Sequence, residues 1–165
     1  MTRKSTTRPE VQPETLPEAL EGRFASLVWI MPRRSSIFGH VGVLELEDGL
    51  VSLRDKSGRR LFSVPAATVE ARPRQRRLSA NPYYFQIRAA DRWWYLAGYG
   101  QTKHRRASTR ALQERYGLRA LVPRPETMSL GDYTRITANP AKHQVLWAIC
   151  WVQALNLAAA GAGAG

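Results

Sequence analysis

Cysteine is almost absent from this chain of 165 residues: Cys150 stands alone, inside an apolar run. A lone thiol makes no intramolecular disulfide, so the fold has to be held by its core, and a buried, inert side chain in a reducing compartment is expected. Histidine is scarce too. His40, His104 and His143 lie far apart, and neither C-x-x-C nor H-E-x-x-H spacing occurs. A Gly-rich phosphate loop and a nucleophile elbow are missing as well. No catalytic residue, cofactor or metal is therefore assigned, and an enzyme is not expected. His40 is read as a half-buried residue at a strand start, and His104 as part of a basic loop. No apolar run reaches the roughly 20 residues that a bilayer-spanning helix needs, and the opening MTRKSTTRPE lacks the apolar core of a signal peptide. A soluble, cytoplasmic chain is expected, with room for peripheral attachment to the inner membrane face.

Acidic residues are also in deficit. Lys and Arg number 25 against 13 Asp and Glu, the formal net charge is +12 and the pI is near 10.8. Such a balance points to anionic partners: nucleic acid, acidic lipid or an acidic protein face. The excess is concentrated between residues 71 and 119, where Asp91 and Glu114 are the only acids. Arg greatly outnumbers Lys, which suits bidentate contact with phosphate or carboxylate and is equally what a GC-rich coding sequence would give.

What is present is a series of short segments in which apolar residues alternate. Residues 41–47 (VGVLELE), 50–54 (LVSLR), 60–64 (RLFSV), 83–88 (YYFQIR) and 93–99 (WWYLAGY) each read as a strand with one face on a core. The expected inward sets are Leu44 and Leu46; Val51 and Leu53; Phe62 and Val64; Tyr83, Phe85 and Ile87; and Trp93, Tyr95 and Ala97. Turn chemistry separates them at 47–49 (EDG), 55–58 (DKSG) and 89–92 (AADR). Residues 24–31 (FASLVWIM) form a candidate first strand. They are apolar throughout, as expected of a strand buried on both faces or covered by the N-terminal arm. After Val64, Pro65 breaks the pattern and residues 68–71 resume it as a bent strand. Residues 72–77 (RPRQRR) and 100–106 (GQTKHRR) then read as basic loops.

Residues 1–21, with Pro9, Pro13 and Pro17, bury too little to order themselves and are expected to be disordered or loosely docked. A domain over 22–160 follows, with a long basic excursion at 101–138. Within that excursion a short helix is expected over 110–116, capped by Ser108 or Thr109 and closed by Gly117. Residues 118–137 read as irregular, with room for one short strand. Asn139-Pro140 opens a helix to about Ala160, on which Trp147 and Trp151 stack at i, i+4. Val145, Ile149 and Val152 form a second apolar line, and Gln144, Gln153 and Asn156 mark the wet side. Residues 161–165 read as a flexible Gly/Ala tail.

An antiparallel meander followed by one apolar, Trp-bearing helix resembles the pleckstrin-homology (PH) superfold. The run from Ser35 to Arg72 (SSIFGHVGVLELEDGLVSLRDKSGRRLFSVPAATVEAR) is similar in cadence to the PH-like domain proteins of actinobacteria. The resemblance implies a mainly β, α+β domain: a partly open antiparallel barrel of about seven strands capped by the C-terminal helix. It also implies a binding or adaptor role, with the first-second and third-fourth strand loops forming the anion site. Carried onto this chain, those loops supply Arg33, Arg34, Lys56, Arg59 and Arg60. The family's spaced lysine-arginine pattern is not clearly matched here. The excursion at 101–138 is longer than the fold needs, and the helix carries two tryptophans where one is usual.

Two function classes follow. The first is a non-enzymatic PH-like adaptor docking an acidic membrane surface or a protein partner through its basic loops. The second is a nucleic-acid-binding protein driven by backbone charge, using Arg72, Arg74, Arg76, Arg77, Lys103, Arg105 and Arg106, with Trp94 as the aromatic expected to be exposed. Trp147 and Trp151 are a candidate partner or homo-oligomer interface, because so wide an apolar stripe needs cover. Solvation alone would also account for a basic rim.

Overall fold

The computed structural model describes residues 23–32, 39–73, 84–98, 107–118, 128–138 and 140–162; for 107–109, 137, 140–144 and 162 it describes the backbone only. Among the described residues seven strands run in chain order: β1 (Arg23–Met31), β2 (His40–Glu47), β3 (Leu50–Asp55), β4 (Arg60–Pro65), β5 (Glu70–Pro73), β6 (Tyr84–Ala89) and β7 (Arg92–Gly98). Three helices follow: α1 (Ala107–Arg115), α2 (Leu130–Thr137) and α3 (Pro140–Ala162). The strands form one antiparallel sheet in the order β4-β3-β2-β1-β7-β6-β5. A 3-10 turn, Ala66–Thr68, carries the chain from one edge strand, β4, to the other, β5. The sheet is therefore not closed, and with α3 it makes the partly open, helix-capped α+β architecture expected of a PH-like domain.

Alternation sets the core. Phe24, Val28 and Ile30 of β1, Leu44 and Leu46 of β2, Val51 and Leu53 of β3 and Phe62 of β4 face inward, with Val64 at the margin. Phe85, Ile87 and Ala89 of β6 join them, and α3 closes the space with Leu146, Trp147, Cys150, Trp151, Ala154 and Leu155. Gln153 and Asn156 lie on the exposed side of α3, as their polarity requires, and Ile149 is exposed beside them. Tyr83 and the N-terminal arm fall outside the described residues.

β1 is buried on both faces. Its second face is covered by α1, where Leu112 packs on Leu27 and Val43 with Tyr116 and Leu118 alongside. The C-terminus of α1 is a Schellman motif: Leu118 N–H donates to Gln113 O at 2.9 Å, Gly117 N–H to Glu114 O at 3.3 Å, and Gly117 takes φ +58. The helix starts at Ala107, so Ser108 and Thr109 lie inside it and do not cap it.

Several expectations are corrected. In β7 the inward residues are Trp94 and Leu96, not Trp93, Tyr95 and Ala97. The two-residue turn at Ala90 and Asp91, both at positive φ, fixes the β6–β7 register. Ile87 then pairs with Trp94, and Phe85 with Leu96. Directly opposed residues share a face, so an inward Ile87 forces an inward Trp94. Trp94 is thus 7 % exposed. Its indole N–H donates to Ala89 O at 3.1 Å, its ring packs on Phe62, and the Arg92 guanidinium lies 3.7 Å over it.

Where an irregular stretch with one short strand was expected, α2 occupies Leu130–Thr137. Ser129 caps it, its hydroxyl accepting from Asp132 N–H at 3.1 Å, while Asp132 pairs with Arg135. Tyr133 and Ile136 turn toward the core, which gives the helix a reason to form there. Arg72 and Pro73 belong to β5 and not to a loop. His40, at the first position of β2, is exposed. The last helix continues through Gly161 to Ala162, into the segment expected to be a free tail.

Candidate anion-binding surface

The β3–β4 turn is built around one carboxylate. Asp55, at the buried end of β3, accepts from Ser57 N–H at 2.9 Å, from the Ser57 hydroxyl and from Arg59 N–H at 3.0 Å. The Arg59 Nε donates to its other oxygen at 3.1 Å. These donors, led by the Ser57 hydroxyl, hold the carboxyl down at about 2 against the partial opposition of burial. Gly58 takes φ +86, a conformation open to glycine. A short, internally bonded turn results, and it presents cations: Lys56, Arg59 and Arg60 are all exposed.

Two further arginines, Arg54 and Arg115, reach this end of the sheet, and a third, Arg23 at the far end of β1, helps to place them. Arg54 of β3 lies directly opposite Arg60 of β4, at a shift in register. Like charges facing across a pair of strands repel, so the arrangement needs negative charge nearby. Glu45 supplies part of it: Arg23 donates to it at 2.6 and 2.8 Å, while Arg54 Nε sits 3.9 Å from its second oxygen and makes no hydrogen bond. Arg115 comes from α1. Its terminal nitrogens and the Tyr116 hydroxyl lie 3.4, 3.5 and 3.0 Å from where a Cβ on Gly58 would stand. The sequence reading missed Arg115, since only the packing of α1 on the outer sheet face brings it beside a turn so distant in the chain. Arg23 fixes that packing by donating to Tyr116 O at 3.0 Å.

Of the five residues assigned here by resemblance, Lys56, Arg59 and Arg60 are brought together. Arg33 and Arg34 lie outside the described residues. The strands that flank them, β1 ending at Met31 and β2 opening at His40, terminate at the same end of the sheet as Asp55, since Ile30 pairs with His40 and Gly42 with Asp55.

The second candidate group is mostly out of view: Arg74, Arg76, Arg77, Lys103, Arg105 and Arg106 lie outside the described residues. Arg72 is exposed on β5, with its guanidinium 4.3 Å over the Trp93 ring and Glu70 at 3.9 Å. Trp94, offered as the exposed aromatic, is in the core; Trp93 is the one on the outer face. Trp147 and Trp151, the candidate interface, are buried within the chain. They are 4 % and 0 % exposed and stack on Phe24, with ring centroids 5.6 and 4.4 Å away. The Trp151 indole N–H donates to the buried Ser26 hydroxyl at 2.6 Å. The apolar stripe of α3 is covered by its own sheet.

Among the described residues no group of three or more His, Cys, Asp or Glu side chains is placed to hold a metal ion, and no helix is long and apolar enough to cross a membrane. Burial pushes the Cys150 thiol up to about 12, so it is no nucleophile in this fold. No protein-family model and no curated protein matches the chain.

Proposed function

We propose that this chain is a non-enzymatic docking module, similar to the PH-like domain proteins of actinobacteria. It engages an anionic target, an acidic membrane surface or an acidic protein face, through its β3–β4 turn. The observation that carries this reading is the Asp55-centred turn, which holds Lys56, Arg59 and Arg60 outward beside Arg115 with their one local carboxylate already engaged. Near an acidic bilayer each unpaired side chain contributes about 1 kcal/mol, so Lys56, Arg60 and Arg115 together supply about 3 kcal/mol toward reversible recruitment, Arg59 being paired with Asp55.

Co-sedimentation with phosphatidylglycerol vesicles, phosphatidylcholine vesicles and a poly-glutamate peptide at physiological salt tests this. Lys56→Glu with Arg60→Glu leaves the Asp55–Arg59 contact intact and should abolish binding to the acidic partner. Retention of the peptide alone would assign a protein face rather than a membrane. Acidic-vesicle and peptide binding that are both indifferent to the double reversal would overturn the reading.

A further inference from the structure

The outer face of the sheet changes character from one half to the other. Over β1 to β4 it is either covered by α1 or polar, with Glu45, Arg54 and the Ser52–Ser63 hydroxyl pair, 2.8 Å apart. Over β6 and β7 the same face is aromatic. Since Trp94 and Leu96 face the core, their neighbours Trp93 and Tyr95 face outward, and Tyr84 lies on the same side of β6. All three are half-buried. An antiparallel sheet with one wet face ordinarily carries polar residues there. Exposed Arg88 stands directly across from Trp93, and Gln86 from Tyr95. Arg72, on the neighbouring strand, stacks on Trp93.

We propose that this outer face of β5, β6 and β7 is a binding platform for single-stranded nucleic acid, separate from the β3–β4 turn. The chemistry of each part fits that ligand. Trp93 and Tyr95 are two positions apart on one strand, which sets them about 6.7 Å from each other along it, an interval that a stretched single strand covers with one nucleotide per ring. Bases stack on such rings with little regard to sequence. Arg88 flanks the rings as a phosphate partner, and Arg72, whose guanidinium lies 4.3 Å over Trp93, turns from the ring to a phosphate when a base takes its place; Glu70, 3.9 Å from Arg72 and paired with Arg88 across the strands, is the one acid on the strand face described here. A duplex hides its base faces and would gain only the phosphate contacts.

Fluorescence anisotropy of a labelled oligothymidine of about 12 nucleotides, titrated with the full chain at several salt concentrations, tests this. Intact protein should bind with quenching of tryptophan emission, and should prefer the single strand to a duplex of equal length. Trp93→Leu, which keeps an apolar cover, should weaken binding about tenfold. Arg88→Gln changes an exposed side chain and leaves the core untouched. It should lower the slope of log affinity against log salt by about 0.7, the value for one lost phosphate contact. Lys56→Glu with Arg60→Glu should leave oligonucleotide affinity within about twofold. Failure to bind at low salt, equal affinity for duplex, or an unchanged affinity in folded Trp93→Leu would each overturn the proposal. So would oligonucleotide binding lost only on reversal at the β3–β4 turn.

Discussion

Asp55→Asn separates a built turn from a merely positive surface, because charge and geometry pull in opposite directions. The substitution removes an acid and makes the chain one unit more positive. If only charge matters, attraction to an acidic membrane should rise by about 1 kcal/mol, or about fivefold in affinity. The structure argues for the reverse. The Asp55 carboxylate takes the two backbone N–H groups, the Ser57 hydroxyl and the Arg59 guanidinium, and these contacts fix where Lys56, Arg59 and Arg60 point. An amide oxygen can keep the three contacts at Oδ1 but accepts them more weakly, and its NH2 meets the Arg59 Nε–H donor to donor, so Arg59 is released and regains freedom that binding must then remove, at about 1–2 kcal/mol for backbone and side chain together. Affinity for phosphatidylglycerol vesicles should fall about threefold or more.

Folding stability should fall as well. A carboxyl held at about 2 against an ordinary 3.8 corresponds to at most about 2 kcal/mol, and nearer 1 for a turn open to solvent. Because the folded-state value is depressed, this contribution is complete above about pH 4 and is lost as pH falls toward 2. Urea denaturation should therefore show wild type ahead of Asp55→Asn at pH 7, with the gap closing toward pH 2. Tighter vesicle binding by Asp55→Asn would refute the argument, as would a stability gap that widens on acidification.

Trp151→Phe keeps most of the ring but strands the buried Ser26 hydroxyl, and should cost about 2–3 kcal/mol in urea unfolding. Sedimentation should find its oligomeric state equal to that of wild type, since the ring serves the core and not an interface. Gly42→Ala would set a Cβ 2.4 Å from the Arg54 carbonyl oxygen and from Ile30 Cδ1. Arg54 O is main chain in the adjacent strand and cannot yield cheaply, so a loss above about 2 kcal/mol is expected by thermal or urea melt. Cys150, buried and with its thiol pushed up to about 12, should resist maleimide at mildly alkaline pH and react fully once the chain is unfolded.

Much of the fold was legible because period-two alternation and the D-G and S-G turns act locally. The error in β7 was avoidable. A hairpin that turns between Ala90 and Asp91 sets Ile87 opposite Trp94, so Ile87 and Trp93 cannot both face the core. The segment WWYLAGY is apolar in either phase, and composition alone could not choose. Helix α2 was missed although Ser129 and Asp132 carry a capping signal, because only about two turns of weakly apolar sequence follow it. On the basic rim, Lys56, Arg59 and Arg60 were legible as turn residues, whereas Arg115 depends on a tertiary contact that no local pattern encodes. The wide apolar stripe of α3 was read as needing a partner. Phe24 and the inner sheet supply it, and a sequence cannot say whether such a stripe is met by its own chain or by another.

Amide hydrogen exchange of the full chain, with and without phosphatidylglycerol vesicles, tests docking through the β3–β4 turn most directly. The expected result is new protection concentrated between Arg54 and Arg60 and at the end of α1 around Arg115, with the α3 amides unchanged. Protection confined to α3 or to β6 and β7, with the turn exchanging as freely as in the unbound chain, would contradict it.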